Sequence, residues 1–123
     1  RLTNNAGADT SPVWSPDGTR LASASYDATV QIRESATGRL LQTYRGHTAG
    51  VFAVAWSPDS TLLASGGDDT TVQIWEAATG QSVYTYRGHT RGVRAVAWSP
   101  LTGNDACIAS SGLDQVVLVW QAP

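Results

Sequence analysis

The strongest constraint in this 123-residue chain is an internal repeat with a period of 42 residues. Residues 53–58 and 95–100 both read Ala-Val-Ala-Trp-Ser-Pro, and residues 44–48 and 86–90 both read Tyr-Arg-Gly-His-Thr. The third unit carries three extra residues within 101–106, after which the pattern resumes. A period of this length is typical of folds in which one supersecondary unit is arrayed several times. Three such units account for essentially the whole chain.

Each unit is divided into short apolar runs separated by turn residues about every 8–12 residues, a spacing that favours strands. In the middle unit, strands are predicted near residues 51–56, 62–66, 72–75 and 82–87. No stretch shows a sustained apolar period of about 3.6 residues, so no helix of consequence is predicted. Four antiparallel strands per repeat match a propeller blade. We therefore predict an all-β chain of three four-stranded antiparallel blades.

The combination of motifs resembles the WD40 repeat family. A Gly-His pair, a strand that ends in Ser-Pro-Asp, an Asp in a tight turn and a Trp six residues later recur together at the fixed period. The resemblance covers nearly all of the chain and implies a β-propeller. It places the blades at about residues 4–45, 46–87 and 88–123.

In WD40 repeats a His, a Ser or Thr, an Asp and a Trp form a hydrogen-bonded set inside each blade. A buried Asp turn needs such partners, because an unpaired polar group away from water costs about 1–3 kcal/mol. The first unit departs from the pattern, since Asn5 replaces the His and Arg33 replaces the Trp; that blade is expected to be the loosest. The resemblance assigns this structural role to His47, Ser65, Asp69, Trp75, His89, Ser110, Asp114, Trp120, Ser23 and Asp27.

Ser, His and Asp together also form hydrolase triads, and this interpretation stays as a remote alternative. A triad needs an exposed nucleophile and oxyanion donors, whereas here the Ser lies in an apolar strand and the set recurs in two successive units. No enzyme activity and no catalytic residue are therefore predicted. Asp68 and Asp69 do not provide the six or more oxygens of a hard-cation site. Neither His47 nor His89 has the further ligands of a zinc site, so no metal and no cofactor are predicted.

Partners of WD40-like propellers usually dock on the face that carries the blade-to-blade loops. Aromatic and Arg side chains there are residue types that anchor interfaces; the alternative is that they are merely solvated. Trp14, Trp56 and Trp98 recur at the end of the first strand and are expected to fill the space between blades rather than to form a ligand platform. The resemblance places six residues on the candidate partner-binding face: Thr10, Tyr26, Phe52, Asp68, Arg94 and Leu113.

Charge and composition exclude several classes of partner. The net charge is −2, and the eight cations are all Arg, scattered along the chain without a basic stripe, so nucleic acid is not expected. No apolar run approaches the roughly 18 residues of a membrane span, and no signal peptide is recognised, so no membrane partner is expected. Cys107 is the single cysteine, which excludes an internal disulfide framework. A cytoplasmic location is expected.

Three blades do not close a ring, because propellers typically have four to eight. The third unit stops before its outermost strand, and residues 1–3 align with the close of such a strand. We therefore predict that residues 1–3 of another copy complete the last blade, in a head-to-tail contact that closes a ring by oligomerisation. A dimer with six blades is slightly favoured over a trimer with nine.

The function predicted from these features is that of a non-enzymatic protein–protein interaction scaffold that binds a protein or peptide. The near-identical repeats and the absence of Lys resemble bacterial WD40 arrays. The start at Arg1 and the absence of Met indicate a piece of something larger, and the resemblance to bacterial arrays implies that this is a multidomain regulatory protein. The alternative is a purely structural, self-assembling propeller array without a ligand of its own.

Overall fold

The structure is a computed structural model that describes residues 12–99 and 106–121. All regular elements in these two ranges are β-strands, as the repeat predicts. The strands are β1 (Val13–Trp14), β2 (Arg20–Ala24), β3 (Val30–Glu34), β4 (Leu40–Tyr44), β5 (Val51–Trp56), β6 (Leu62–Gly67), β7 (Val72–Glu76), β8 (Ser82–Tyr86), β9 (Val93–Trp98), β10 (Cys107–Gly112) and β11 (Val117–Gln121). No helix within the described residues is long and apolar enough to cross a membrane.

The strands form three antiparallel sheets, in the orders β1-β2-β3-β4, β5-β6-β7-β8 and β9-β10-β11. Within each sheet, every strand pairs with the strand next to it in sequence. The predicted all-β class and the antiparallel blades are confirmed. The third sheet has three strands in the described part of the chain rather than four. Residues 1–3 and Asn5 lie outside the described residues, and ring closure stays a prediction.

The turn between the first two strands of a unit is built by an Asp that accepts hydrogen bonds from its neighbours. Asp17 Oδ1 accepts from the Ser15 hydroxyl at 2.6 Å, the Thr19 amide at 3.0 Å and the Thr19 hydroxyl at 2.8 Å. Bonds from Ser15 and then Thr19 lower the pKa of Asp17 to about 2, because they favour its charged form. Ser57 and Asp59 repeat the arrangement in the second unit at 2.6 Å. The Ser-Pro-Asp motif thus ends the first strand and reverses the chain.

The hydrophobic core lies between the sheets rather than inside any one of them. Val72 and Ile74 of the second sheet are fully buried in one cluster with Val93 and Ile108 of the third. Val30 and Ile32 of the first sheet are buried in the same way beneath the second. A single sheet has two faces to cover, and here the next sheet in the chain covers one of them. Stability therefore depends on the contacts between successive sheets.

The Trp at the end of each first strand reaches back to the preceding sheet. Trp56 Nε1 donates to the carbonyl oxygen of Val13 at 3.0 Å, and Trp98 Nε1 donates to that of Ala55 at 3.0 Å. Trp56 is 6% exposed, as expected for a residue between blades, but Trp14 is 58% exposed. No sheet in the described part of the chain lies on the outer side of Trp14, so the expectation that it fills a space between blades stays a prediction.

Truncation of a buried side chain between sheets should cost far more than the same truncation at an outer strand. Val72→Ala removes two buried methyl groups and is expected to lower the free energy of unfolding by about 2 kcal/mol. Val83→Ala, on the outer strand where the side chain is 42% exposed, should change it by less than about 1 kcal/mol. Urea titration followed by Trp fluorescence measures both values. Equal losses in the two variants would contradict a core located between the sheets.

Candidate functional site

A hydrogen-bonded set in the second unit joins the loop before the unit to the turn between its second and third strands. His47 Nδ1 lies 2.9 Å from Asp69 Oδ2, and His47 Nε2 lies 2.7 Å from Ser65 Oγ. Trp75 Nε1 donates to the same Ser65 oxygen at 3.2 Å. A carboxylate only accepts, so Nδ1–H donates to Asp69 and, in the neutral imidazole, Nε2 accepts the Ser65 proton. Every polar atom at the centre of the set is thereby paired.

The third unit repeats this geometry closely. His89 Nδ1 lies 3.0 Å from Asp114 Oδ2, and His89 Nε2 lies 2.8 Å from Ser110 Oγ. Trp120 Nε1 donates to Ser110 Oγ at 2.9 Å. The Thr90 amide also donates to the Asp114 carboxylate at 3.1 Å. The structure thus brings together all eight residues that the resemblance assigned to these two units.

The first unit does not complete the set within the described residues. Ser23 Oγ is buried without a hydrogen-bond partner, and so is Arg33 Nε. The other Arg33 nitrogens donate to the Gly38 carbonyl at 3.1 Å and to Gln31 Oε1 at 3.0 Å. Asp27 still accepts from the Thr29 hydroxyl at 2.5 Å. Without the Trp indole, the hydroxyl of Ser23 has lost the donor that Ser65 has.

The electrostatics of Asp69 show how strongly the set holds the charged carboxylate. Burial disfavours the charge and acts to raise the pKa of Asp69. The hydrogen bond from His47, together with the hydroxyl and amide of Thr71, outweighs that effect and holds the pKa of Asp69 well below its ordinary value. The Asp69 side chain is only 7% exposed, so these donors replace the water that it has lost. The carboxylate is a tightly held structural acceptor.

The chemistry of the sets differs from that of a hydrolase. Ser65 is fully buried and accepts the Trp75 indole proton, so its oxygen faces no space that a substrate carbonyl could enter. Nucleophilic attack requires an accessible oxygen beside oxyanion donors. No cluster of three or more His, Cys, Asp or Glu residues with the geometry of a metal site occurs in the described ranges. The arrangement joins the loop before each of the two units to the turn between its second and third strands.

Two aromatic rings make further contacts that the sequence interpretation missed. Tyr44 stacks on Trp75 with ring centroids 4.3 Å apart and planes 3° apart, and Tyr86 lies 4.7 Å from Trp120. Each Tyr belongs to the outer strand of one sheet and packs on the Trp of the next. The signal was present, because both Tyr residues begin the repeated Tyr-Arg-Gly-His-Thr motif. Only the tertiary arrangement shows that the stacking crosses from one sheet to the next.

Four residues of the predicted partner-binding face lie at the edge of the sheets that carries the His47–Asp69 set, and they form a continuous series of contacts. Tyr26 meets Phe52 edge to face with ring centroids 4.9 Å apart, and the Arg94 guanidinium lies 3.6 Å from the Phe52 centroid. Arg94 then pairs with Asp68 at 3.5 Å. We refer to Tyr26, Phe52, Asp68 and Arg94 as the aromatic–arginine patch. Each successive contact links residues of neighbouring sheets.

Two glycines allow these close approaches. A Cβ at Gly50 would meet the Tyr26 backbone at 3.2 Å, and a Cβ at Gly92 would collide with the Asp68 carboxylate. Leu113 occupies the corresponding turn of the third unit, is 50% exposed, and makes a backbone bond from its amide to the Gly92 carbonyl. The structure does not join Leu113 to the patch. Thr10 lies outside the described residues.

The paired and unpaired serines provide a matched test of the sets. Ser65→Ala leaves His47 Nε2 and Trp75 Nε1 without their partner and is expected to lower the free energy of unfolding by about 2–4 kcal/mol. Ser23→Ala removes a buried hydroxyl that lacks a partner and should leave stability unchanged or raise it by up to about 1 kcal/mol. Urea titration measures both variants. A loss of similar size at Ser23 would contradict the difference between the first and second units.

The low pKa of Asp69 predicts a pH-dependent contribution to stability. Asp69→Asn should lower the free energy of unfolding at pH 7 by about 1–3 kcal/mol, because an amide oxygen replaces a charged acceptor. The pKa of Asp69 is lower in the folded than in the unfolded state. The carboxylate therefore contributes fully above its unfolded pKa, near 4, and loses its effect as the pH falls towards the folded value. The difference between wild type and variant should shrink between about pH 4 and pH 2 in urea titrations.

Asp68→Asn is the control for this experiment, since the adjacent side chain is half exposed and lies outside the set. It should change stability by less than about 0.5 kcal/mol at pH 7. If the difference in the free energy of unfolding between wild type and Asp69→Asn stays constant from pH 7 to pH 2, the prediction is wrong. The charge of the Asp69 carboxylate then does not contribute to the stability of the set.

Comparison with known proteins agrees with this geometry. The chain is similar to the protein in "Crystal structure of RRP9 WD40 repeats" and to that in "Structure of U3-55K", each at 30% identity with a TM-score of 0.90. The matches cover 98% of this chain but only 37% and 38% of those chains. Curated protein sequences gave no significant match. A family model described as "WD domain, G-beta repeat" matches residues 9–33, 38–76 and 80–121, and the chain therefore belongs to the WD40 repeat family.

Proposed function

We propose that this chain is a non-enzymatic protein–protein interaction scaffold whose contact surface is the aromatic–arginine patch. WD40 repeats generally mediate protein–protein interaction, which fits the family assignment. The observation that carries the proposal is the continuous contact from Tyr26 through Phe52 and Arg94 to Asp68. Exposed aromatic and Arg side chains held in one orientation are the residue types that dominate binding energy at interfaces.

The patch is suited to binding because its side chains are ordered before a partner arrives. Phe52 lies between the Tyr26 ring on one side and the Arg94 guanidinium on the other. Holding the guanidinium over a ring removes much of the rotamer freedom that an Arg otherwise loses on binding. Tyr26 remains 55% exposed and leaves an aromatic surface for contact. Most of the conformational entropy of these side chains is therefore lost when the chain folds, and little more is lost when a partner binds.

The chemistry of the patch favours a partner segment that presents a carboxylate. The Arg94–Asp68 pair is 3.5 Å apart, with side chains 38% and 47% exposed. An ion pair as exposed as this contributes about 0–1 kcal/mol, so a partner carboxylate can replace Asp68 at small cost. Three further Arg residues are exposed in the loops at this edge, at positions 45, 87 and 91. The Asp69 and Asp114 carboxylates of the same edge are each only 7% exposed. Asp27 and Asp68 are exposed at this edge, so an approaching partner meets four exposed Arg side chains against two exposed carboxylates in the described part of the chain.

Within this proposal the chain is one region of a larger, cytoplasmic regulatory protein of bacterial type that binds protein rather than nucleic acid. Its eight Arg residues are scattered along the sequence and form no continuous basic run. Recognition of a phosphate backbone depends on such a stripe. A single Cys and near-identical repeats support the cytoplasmic and bacterial parts of the proposal.

Selection from a library of random dodecapeptides displayed on phage tests the proposed surface. Peptides enriched on the wild-type chain should contain Asp or Glu beside an apolar residue. Phe52→Ala and Arg94→Ala should each lower the affinity for a selected peptide by about tenfold or more, because a central anchor residue typically contributes at least that much to binding. Isothermal titration calorimetry of synthetic peptides measures the change, and raised salt should weaken binding further.

Arg39→Ala is the matched control, since Arg39 is an exposed Arg in the β3–β4 turn at the opposite edge. The affinity of the Arg39→Ala variant for the selected peptides should equal that of the wild-type chain. The proposal fails if no peptide is enriched, or if the enriched peptides bind equally well to Phe52→Ala, Arg94→Ala and wild type.

A second candidate function, self-assembly of copies into a closed propeller, has its own observation. Val117 and Val119 on β11 are 70% and 69% exposed, although Val72 and Ile74 at the same positions of β7 are fully buried. Exposed apolar positions of this kind mark an interaction surface. Two copies would place six blades in a ring, within the four to eight that propellers use, whereas three copies would place nine. A dimer is therefore the expected assembly.

A further inference from the structure

A hollow of about 350 Å³ lies beside the aromatic–arginine patch, where the first strands of the three units lie side by side. It is lined by Val13 of β1, by residues 52–54 of β5 and by residues 94–96 of β9. We refer to it as the inner hollow. Phe52 and Arg94 belong both to its lining and to the patch. The two surfaces are therefore continuous, and a partner bound to the patch lies directly beside the inner hollow.

Small side chains at two equivalent strand positions leave this space open. Ala53 and Ala95 are 42 residues apart, at the same position of the repeat, and neither is buried. Their methyl groups leave room that a larger side chain at either position would fill. Val54 and Val96, which follow them, add further apolar surface, and Arg94 is the one charged residue among the described residues of the lining. Apolar surface that is exposed to water in this way is stabilised when an apolar group covers it.

The charge at the inner hollow is positive. The Arg94 guanidinium lies 3.6 Å from the Phe52 ring centroid, and its pairing with Asp68 at 3.5 Å leaves 38% of the Arg94 side chain exposed. No carboxylate lines the hollow within the described ranges. A partner carboxylate can therefore bind Arg94 while an apolar side chain at a neighbouring position covers the hollow.

A second hollow of about 350 Å³, at the opposite edge of the sheets, differs in this respect. It also contains an Arg, but Arg20 Nη2 already donates to the Ser60 carbonyl oxygen at 2.6 Å. Glu76 lines the same space, and like charges placed together at an interface disfavour binding. An acidic segment is therefore expected to bind at the inner hollow rather than at the opposite edge.

We propose that the inner hollow receives a large apolar side chain (Leu, Phe or Trp) of a partner peptide whose Asp or Glu at a neighbouring position binds Arg94. This inference rests on the scaffold function proposed above, and it names the second group that the same surface recognises. The volume lies near the lower end of the range of about 300–1,000 Å³ for ligand pockets, which suits a side chain better than a whole cofactor. A side chain seated in a pocket at the centre of an interface is the kind of contact that dominates binding energy.

Filling the hollow with a side chain of the protein itself tests the proposal. The probe is the synthetic dodecapeptide that phage selection on the wild-type chain enriches most, and calorimetry measures its affinity. Ala95→Leu places a larger side chain in the hollow and should lower that affinity by about tenfold or more. Ala97→Leu is the matched control, since Ala97 is also exposed on β9 but does not line the hollow. The affinity of Ala97→Leu for the dodecapeptide should equal that of the wild-type chain.

Two altered versions of the dodecapeptide separate the apolar contact from the ionic one, because only groups in contact show strongly coupled effects. The version with its large apolar residue replaced by Ala should bind the wild-type chain about tenfold more weakly than the parent peptide does. It should bind Ala95→Leu and wild type equally. The version with its acidic residue replaced by the corresponding amide should bind Arg94→Ala as tightly as the parent peptide does. Ala95 and Ala97 are both exposed, so unchanged urea midpoints confirm that the two variants are folded.

The outcomes separate failure of the hollow from failure of the proposed function. If no dodecapeptide is enriched, both the patch and the hollow are overturned as binding surfaces. If the enriched peptides depend on Phe52 and Arg94 but bind Ala95→Leu as tightly as wild type, the hollow alone is overturned. Enriched peptides that lack a large apolar residue near the acid have the same meaning. An equal loss of affinity in Ala97→Leu and Ala95→Leu shows a general effect on β9 and also overturns the proposal.

Discussion

The whole structure depends on the need of each small sheet to have its apolar face covered by the next sheet. A four-stranded sheet of about 40 residues cannot bury enough apolar surface alone to be stable. Val72 and Ile74 become fully buried only because Val93 and Ile108 of the following unit lie over them. Because the units repeat at a constant period, each pair of successive sheets packs in the same way. The Trp indole bond from one first strand to the preceding one sets the register of that packing.

The hydrogen-bonded sets hold the loop between units, and through it they hold the edge where partners are expected. His47 ties its loop to Asp69, and the residue adjacent to Asp69 is Asp68 of the aromatic–arginine patch. Phe52 lies in β5, which begins directly after the same loop. A buried network at constant positions therefore supports exposed side chains that differ from unit to unit. This division lets surface residues vary without a change in the frame that orients them.

The two proposed functions are physically compatible because the patch and the β11 face are different surfaces. The contacts from Tyr26 to Phe52 and from Asp68 to Arg94 each cross from one sheet to the next. Any binding surface built in this way extends only as far as the sheets are packed together. Leu113 holds the equivalent turn position of the third unit, so a copy docked on β11 would extend the patch by one more step. Assembly would then enlarge the surface that binds a partner.

The sequence by itself determined the strands and their antiparallel order, because those depend on local patterns that recur at a fixed period. The resemblance of its motifs to WD40 repeats implied the membership of the two complete sets. The same resemblance implied a partner-binding face with six residues: Thr10, Tyr26, Phe52, Asp68, Arg94 and Leu113. Tertiary structure alone decided which of them touch, that Tyr44 stacks on Trp75 of the next sheet, and that Ser23 lacks a partner. It also decided the exposure of Trp14, which is identical in motif to Trp56 but differs in its neighbours. A repeat pattern encodes what a residue is able to contact, whereas its burial depends on whether another sheet lies against it.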